Sequence, residues 1–408
     1  MPVGYLITVA VFAAATLLAL APPIRRPRLL AKVGWLLGPT FDAPVIPGFL
    51  LIAATATAVA GGDVDSPGAW AVVGVAALTM AALVLVARRG RRAGAAVREA
   101  LREGLGPVRA EEARVAVVAR PRRRPSPARV ALWPFPWFPR PGAVERVKDI
   151  RYGEAGRENL LDLYRHRSHP SPAPTLVYAH GGGYFSGGKS REALPLIQRL
   201  AGAGWVCLSI NYRLRPAASF PDHIVDMKRA IAWAREQGAG YGADPGAVVV
   251  AGSSAGGHMA ALAALTADDP ALQPGFEDAD TSVSAAISLY GYLGNYYGMG
   301  DSSSPGAHVS ADAPPFFLAQ GDHDTYSPRF LEISREFVAR LRGASDHPVV
   351  YAELPGAQHS FDLFHSGPFE ATVDGIEEFA AAVLANRGPE PGTVAGASGA
   401  VRDKGVIK

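Results

Sequence analysis

Ser254 lies in a glycine-flanked turn where an apolar, β-branched stretch meets an alanine-rich one. The segment "VVVAGSSAGGHMAALAALTA" covers residues 248–267 and places Gly252 and Gly256 two positions to either side of Ser254. This G-x-S-x-G spacing between a strand and a helix is typical of a sharp turn that lifts a nucleophilic serine hydroxyl above a sheet. The alternative role for Ser254 is an ordinary helix N-cap in a turn of small residues.

A serine hydroxyl is a poor nucleophile until a general base takes its proton, and that base needs an orienting acid. His359 stands in "LPGAQHSFDLF", between the last predicted strand and the last predicted helix. Asp322 and Asp324 both follow the predicted strand in "PPFFLAQGDHD". We favour Asp324 because it stands where the loop has cleared the strand. The chain order Ser254, Asp324, His359 is the nucleophile–acid–base order of one particular triad fold.

A second glycine-rich stretch, His180-Gly181-Gly182-Gly183, follows the predicted strand "TLVYA". Its exposed N–H groups can hold the oxygen of a tetrahedral intermediate, at about 3–4 kcal/mol per donor, and the N–H of Ala255 adds another. We expect a structural role for His180. The alternatives are a flexible loop or a phosphate loop, since residues 183–190 match G-x4-G-K-S. The glycine-rich turn begins too early for a phosphate loop, and no aspartate-ended strand suited to magnesium stands out.

Strand-like and helix-like segments alternate from Val144 onward. "VERVKDIRYG" and "NLLDLYRH" alternate apolar and polar residues, as half-buried strands do. "PTLVYAH", "WVCLSINY" and "AVVVAG" are short apolar runs, and amphipathic segments such as "DHIVDMKRAIAWAREQG" separate them. This alternation predicts an α/β fold with a mostly parallel sheet and helices on both faces. Reactive groups gather at the carboxyl ends of strands in such sheets.

From about Val144 to Asn386 the chain resembles the α/β-hydrolases, and most closely the hormone-sensitive-lipase-like carboxylesterases and lipases. The resemblance is carried by "HGGGY" followed by "SG", "INYRL", "GSSAGG", "PPFFLAQGDHD" and "GAQHSF". It implies an α/β-hydrolase fold and assigns Ser254 as nucleophile, Asp324 as acid and His359 as base. It further implies oxyanion donors at Gly182, Gly183 and Ala255, supported by the motif residues His180, Gly181, Gly252 and Gly256.

One position departs from the family pattern. Members commonly carry an aspartate before the nucleophile, in "GDSAGG", where this chain has Ser253. We therefore expect any role of that carboxylate to be absent. An N-terminal apolar segment is not part of the usual family core, although some membrane-tethered methylesterases of prenylated proteins combine spans with a similar domain.

Three apolar runs occupy residues 1–87, at about residues 3–21, 43–60 and 69–87. About 20 apolar residues form a helix that crosses a hydrocarbon layer of about 30 Å, so the runs predict about three transmembrane helices. The first run resembles a cleaved signal peptide only in part, because no Lys or Arg precedes it and Pro22 and Pro23 follow it. A soluble helical bundle is the other alternative, and the absence of polar faces over whole runs argues against it.

Loop charges predict how these spans lie in a cell membrane. The loop after the first run carries four basic residues, the next loop carries Asp63 and Asp65, and Arg88 and Arg89 follow the third run. Because basic loops stay cytoplasmic, the N-terminus is expected outside and everything after Arg88 inside.

The remaining segments complete the predicted organisation. Residues 88–142 are rich in arginine and proline, which predicts a basic juxtamembrane linker suited to an anionic leaflet. Residues 143–387 form the predicted catalytic domain, and residues 388–408 form a predicted disordered tail. No recognisable nucleic-acid module accompanies the basic charge, so nucleic acid is not an expected partner. The single cysteine, Cys207, excludes an intrachain disulfide and a CxxC metal site.

The residues therefore predict a membrane-anchored serine carboxylesterase or lipase that needs no metal and no organic cofactor. Its expected partners are a small-molecule or lipid ester and the membrane; no oligomeric state is assigned. An amidase or deacetylase would use the same triad. A non-catalytic receptor on the same fold would lack the base, and a membrane scaffold that only docks partners would need no triad, whereas this chain has His359.

Overall fold

The computed structural model describes residues 2–21, 44–119, 141–168, 172–324, 326–327, 329–363 and 366–385. Its centre is an eight-stranded sheet in the order β1-β2-β4-β3-β5-β6-β7-β8. The strands are β1 (Val144–Arg151), β2 (Leu160–His166), β3 (Ala173–Ala179), β4 (Val206–Ile210), β5 (Ala243–Ser253), β6 (Ala285–Leu289), β7 (Phe316–Gly321) and β8 (Val349–Leu354). β2 pairs antiparallel with β1 and β4, and every other neighbouring pair is parallel. The predicted mostly parallel sheet is confirmed.

Helices cover both faces of the sheet. The long helices of the described residues are α1 (Val3–Leu20), α2 (Val45–Ala60), α3 (Pro67–Gly90), α4 (Ala93–Leu105), α5 (Pro107–Val118), α6 (Leu194–Gly202), α7 (Asp222–Gln237), α8 (Ala255–Leu265), α9 (Arg329–Ala344) and α10 (Gly367–Ala385). Apolar side chains of α7, α8 and α9 form one buried cluster with the sheet, and those of α4, α6 and α10 form the other.

The central strands are apolar on both sides because both of their faces are buried. In β5, Val248 and Val250 face the α7–α9 side, whereas Val249 and Ala251 face the α4–α10 side. Val250 lies opposite Val177 of β3 in the parallel register. Successive side chains of a strand point to opposite faces, so a strand covered twice reads as a continuous apolar run.

The prediction of a linker over residues 88–142 is wrong for residues 93–118. Val97, Ala100, Leu101 and Leu105 of α4 are buried in the cluster that covers β8 and α10. These positions recur at helical spacing, while Arg98 and Arg102 of the same helix are exposed. Residues of α4 therefore pack as part of the core on this face of the sheet. Residues 120–140 of the predicted linker and the predicted tail lie outside the described residues.

The helices α1, α2 and α3 form an apolar bundle. Tyr5, Val9, Leu51 and Ala76 pack in its interior, and large apolar side chains such as Leu78 face outward. Among the described residues, α1 and the α3–α4 stretch contain runs long and apolar enough to cross a membrane, while α2 has only 16 residues. The structure therefore provides two helices of spanning length where the sequence predicts about three.

Candidate active site

The turn between β5 and α8 holds Ser254 in a strained conformation. Its φ of 53° and ψ of −113° lie in a sparsely populated region that costs about 1–3 kcal/mol. An added methyl group at Gly252 would overlap Gly256, and one at Gly256 would overlap the Ala179 carbonyl. Strand and helix thus approach so closely that both flanking positions must be glycine. The Ser254 side chain makes no capping hydrogen bond, which excludes the N-cap role.

Folding brings Ser254, His359 and Asp324 into one hydrogen-bonded row. Ser254 Oγ lies 3.0 Å from His359 Nε2, and His359 Nδ1 lies 2.7 Å from Asp324 Oδ2. Asp324 also accepts hydrogen bonds from Gln320 Nε2 at 2.9 Å and from the N–H of Tyr326 at 2.9 Å. Because the carboxylate can only accept when ionised, it holds the proton of His359 on Nδ1 and leaves the Nε2 lone pair facing the serine.

Asp322, the other candidate acid, points elsewhere. Its Oδ1 accepts hydrogen bonds from His323 Nδ1 and from the N–H of Gly356, each at 2.6 Å. His323 Nε2 in turn lies 2.8 Å from Nη1 of Arg89, at the end of α3. Since a guanidinium only donates, His323 carries its proton on Nδ1.

The glycine-rich loop after β3 turns its backbone toward the site. Gly182 and Gly183 have φ values of 110° and 60°, the left-handed region that favours glycine. Within the described ranges, the N–H groups of Gly182, Gly183 and Ala255 have no hydrogen-bond acceptor. The N–H of Gly181 is different, because it donates to the Glu192 carboxylate. This loop and the first residue of α8 therefore offer free donors at the three positions that the family resemblance implies.

His180 stabilises this loop through a hydrogen bond and a ring contact. Its Nδ1 lies 2.7 Å from the Gly181 carbonyl, and its ring stacks on Tyr212 at 4.4 Å. Burial lowers the pKa of His180 to about 4, so its ring is neutral at physiological pH. The Tyr297 hydroxyl donates to the Gly183 carbonyl at 2.7 Å from the other side.

A phosphate loop does not fit residues 183–190. The Lys189 ammonium pairs with Asp149 at 2.6 Å and with Asp162 at 2.5 Å. The backbone N–H of Lys189 donates to Asn211 Oδ1. The next helix along the chain begins only at Leu194, so Lys189 and Ser190 do not open a helix as they would in a phosphate loop.

Two further histidines are structural. His258 Nε2 lies within 3.1 Å of the Gly294 carbonyl and 2.9 Å of the Ser303 carbonyl. His223 Nδ1 lies 2.6 Å from the Arg213 carbonyl. Burial lowers both pKa values, that of His258 to about 4. Neither ring is placed beside Ser254, which leaves His359 as the base candidate.

Sequence reasoning missed a carboxylate beneath the nucleophile. Asp362 Oδ2 lies 2.5 Å from Ser253 Oγ, and Asp362 also accepts a hydrogen bond from the Tyr290 hydroxyl. Position 253 itself carries no carboxylate, but Asp362 brings one to the Ser253 hydroxyl from another loop. The available signal was a single acidic residue in the apolar sequence "HSFDLF".

Half-exposed aromatic side chains lie beside His359 and the glycine-rich loop, and together they are called the aromatic rim. The Tyr326 ring stacks on His359 at 4.9 Å, and the Phe185 and Tyr297 rings meet at 6.0 Å. Each of these three side chains is about half exposed. The guanidinium of Arg215 lies over the Phe185 and Tyr297 rings at 4.8 and 4.6 Å. Such a rim suits the apolar part of an incoming molecule.

No group of three or more metal-ligating side chains occurs in the part of the chain that the structure describes. Cys207 is free and fully buried, and burial raises its thiol pKa.

Comparison with known proteins identifies relatives of this chain. Residues 161–296 match the BD-FAE family. The chain is 40% identical over 354 residues to the probable carboxylic ester hydrolase LipM of Mycobacterium tuberculosis, covering 78% of this chain and 80% of LipM. It is 41% identical over 299 residues to the esterase LipQ of the same organism, covering 65% and 70%. The butyrate-bound Est2 esterase of Thermogutta terrifontis superimposes with a TM-score of 0.51 at 26% identity, covering 58% of this chain and 93% of Est2.

Proposed function

Since the chain belongs to the carboxylic ester hydrolases of the α/β-hydrolase fold, the family of LipM and LipQ, we propose that Ser254, His359 and Asp324 are its catalytic triad. The observation that carries this proposal is the continuous row of hydrogen bonds, at 3.0 and 2.7 Å, from the serine hydroxyl to a buried carboxylate. His359 is 3% exposed and Asp324 is 4% exposed, so water competes little for either contact.

The first half of the reaction forms an acyl-enzyme. His359 Nε2 takes the proton of Ser254 Oγ, and the oxygen attacks the carbonyl carbon of the ester. The imidazolium that forms is stabilised by the carboxylate of Asp324 through Nδ1–H. When the tetrahedral intermediate collapses, the C–O bond to the alcohol breaks and Nε2–H gives its proton to the leaving oxygen.

The second half repeats these steps with water as the nucleophile. His359 takes a proton from water, the hydroxide attacks the acyl carbon, and Ser254 Oγ leaves with the proton from Nε2. In both halves the negative oxygen is held by the N–H groups of Gly182, Gly183 and Ala255. Their freedom from other acceptors in the described structure supports this role, since donors already aimed at the oxygen need no reorganisation.

We infer that the substrate is a lipophilic carboxylic ester and that the apolar bundle anchors the enzyme in a membrane. The aromatic rim offers apolar surface at the entrance, and the helix α3 ends beside the loop that carries Asp324. α1 and α3 are the proposed spans, with α2 as a shorter third. The basic residues that follow α3 favour a cytoplasmic sheet domain, with the enzyme at the cell membrane.

The test is hydrolysis of p-nitrophenyl esters from two to sixteen carbons by the full chain in detergent. We expect Ser254→Ala to lower kcat by about 10⁴-fold or more while the thermal unfolding midpoint is kept. Ser302→Ala, a change at an exposed serine in another loop, is the matched control and should keep its activity. Near wild-type activity of Ser254→Ala would overturn the triad. Refusal of the long acyl chains alone would overturn the lipophilic substrate and leave the triad standing.

A further inference from the structure

Asp362 is a buried acidic residue with an unusual set of partners. Its side chain is 1% exposed, and no Lys or Arg within the described ranges forms an ion pair with it. Three hydroxyl groups face it instead: Ser253 Oγ at 2.5 Å, Tyr178 Oη at 3.4 Å and Tyr290 Oη. A buried carboxylate without a cation is unfavourable unless hydrogen bonds satisfy it, and these hydroxyl groups supply them.

The partners of Asp362 come from three neighbouring strands. Tyr178 lies in β3, Ser253 ends β5, and Tyr290 follows β6 directly. The single proton of Tyr178 Oη serves its shorter contact, to Ser253 Oγ at 2.8 Å, so Tyr178 supports the carboxylate through Ser253. The carboxylate therefore ties the loop after β8 to the carboxyl ends of the strands that carry the nucleophile turn.

Both reacting side chains adjoin this network. Ser253 is covalently next to Ser254, whose N–H donates to the Leu289 carbonyl at 2.8 Å, beside Tyr290. The Tyr290 ring packs edge-on against the His359 ring at 4.7 Å. Asp362 itself is three residues from His359 in the same loop. One carboxylate thus contacts the supports of the nucleophile and of the base at once.

A second buried carboxylate extends the arrangement toward the oxyanion loop. Glu192 is 4% exposed, accepts the N–H of Gly181 and pairs with Arg191. An added methyl group at Gly181 would lie 3.0 Å from Glu192 Oε2 and 3.1 Å from Ser254 Cβ. Glu192 therefore holds the residue before Gly182, while Asp362 contacts residues that adjoin the turn and the base.

We propose that Asp362 is a positioning residue, whose carboxylate, held by Ser253, Tyr178 and Tyr290, keeps His359 in register with Ser254 and replaces an acid at position 253. The proposal rests on the triad proposed above. It concerns geometry alone: Asp362 exchanges no proton with the substrate, and it acts through the residues that it holds.

The first measurement separates kcat from KM for Asp362→Ala, Asp362→Asn and Tyr290→Phe, with the full chain in detergent. A displacement of reacting groups by about 1 Å lowers rates about a hundredfold. We expect Asp362→Ala to lower kcat by about that factor with KM changed by less than about threefold, since substrate-binding surfaces remain. Tyr290→Phe keeps the ring against His359 and loses only the hydroxyl, so its kcat should fall less. The kcat of Asp362→Asn should lie between those of Asp362→Ala and Tyr290→Phe. If Asp362→Ala does not fold, Asp362→Asn takes its place in the test.

The second measurement uses a variant in which the carboxylate of the 253–362 contact stands at position 253 instead of position 362. The double variant Ser253→Asp/Asp362→Ser restores one carboxylate and one hydroxyl at the same place, with their positions exchanged. We expect its kcat to exceed that of Asp362→Ser at least about tenfold. A purely local role of Asp362 in stability would instead move the unfolding midpoint of the single and double variants without this recovery of kcat.

Two results would overturn the proposal. One is wild-type kcat, measured at pH 8 where the acid has lost its proton, in folded Asp362→Ala or Asp362→Asn. The other is equal kcat in Asp362→Ser and in the exchanged pair when both are folded. If instead the triad assignment were wrong, Ser254→Ala would remain active, so the two failures can be told apart.

Discussion

Nη1 of Arg89, at the end of the apolar helix α3, lies 2.8 Å from Nε2 of His323, the residue directly before Asp324. The same guanidinium nitrogen donates to the Leu20 carbonyl at the end of α1 at 3.2 Å. Its alkyl chain lies so close to Gly356, which has a φ of 77°, that an added methyl group there would overlap it. The apolar bundle is thus fastened to the loop that carries the proposed catalytic acid.

We predict that Arg89→Ala lowers kcat about two- to tenfold, because one partly buried hydrogen bond contributes about 0.5–1.5 kcal/mol. The loss should act through the acid loop and leave binding of a short soluble ester nearly unchanged. Arg88→Ala removes an equal charge from an exposed neighbour on the same helix and is the control. Steady-state kinetics of both variants in detergent check this, and equal effects of the two changes would contradict it.

Replacing each candidate acid by asparagine in turn tests the assignment of Asp324. Asp324→Asn should lower kcat about 10⁴-fold, because an amide no longer holds the proton of His359 on Nδ1. Asp322→Asn should have a far smaller effect, since Asp322 contacts His323 and Gly356 and not His359. Hydrolysis of p-nitrophenyl butyrate by the two folded variants decides the matter. The assignment fails if Asp322→Asn is the inactive variant.

The residues close to Ser254 in sequence were enough to predict the nucleophile turn. The apolar run of β5, the small residues around Ser254 and the alanine-rich start of α8 each act over a few positions, so their spacing alone predicts the strand, the turn and the helix. The preference for Asp324 over Asp322 also rested on local position, relative to the end of β7.

The parts that were missed depend on contacts between distant segments. Asp362 meets Ser253 across 109 positions of sequence, and a lone acidic residue in an apolar loop has no period that indicates its partner. The packing of α4 was missed for another reason. Arginine and proline dominate the composition of residues 88–142 and favour a linker. The apolar residues Val97 and Leu101, at helical spacing within it, indicate a helix that packs on the sheet.

Gly256 should tolerate no side chain. An added methyl group there would overlap the Ala179 carbonyl of β3, and neither backbone segment can move without shifting the Ser254 turn. We expect Gly256→Ala to lower the free energy of unfolding by about 3 kcal/mol and to abolish most activity. Gly240→Ala is the matched control, because an added methyl group at Gly240 meets open space. Thermal unfolding of the two variants distinguishes them, and similar midpoints would refute the close contact.

The buried carboxylate of Asp362 should make stability depend on pH. Burial, and then the charge of Glu192, raise the pKa of Asp362 to about 7, against hydrogen bonds from Ser253 and Tyr290 that lower it. In the unfolded chain an aspartate titrates near about 4. Between about pH 4 and 7 the folded protein therefore keeps a proton that the unfolded chain has released. Stability from this group is present below about pH 4 and is lost as the pH rises to about 7.

Asp362→Asn removes this titration, so the stability difference between variant and wild type should shift in favour of the variant from pH 5 to pH 8. The ionisable groups that face Asp362 are Glu192, Tyr178 and Tyr290, with Arg191 paired to Glu192, and all of them are kept in the variant. Unfolding midpoints of both proteins at the two pH values measure the shift. A difference that stays constant, or that moves toward the wild type, would show that Asp362 is ionised throughout.

The packing of α4 predicts where the chain can be shortened. A chain that begins at Arg92 retains α4, whose Val97 and Leu101 lie in the cluster with Val350 and Phe379. We expect it to fold without detergent and to hydrolyse short soluble esters, with only the modest loss of kcat due to the absence of Arg89.

A chain that begins at Ala143 uncovers β8 and α10 on that face. The apolar surface it exposes should make it aggregate or unfold at a markedly lower temperature. Solubility, thermal unfolding and hydrolysis of p-nitrophenyl acetate compare the two chains. Equal stability and activity of the shorter one would mean that α4 is dispensable and that the domain begins where the sequence first indicated.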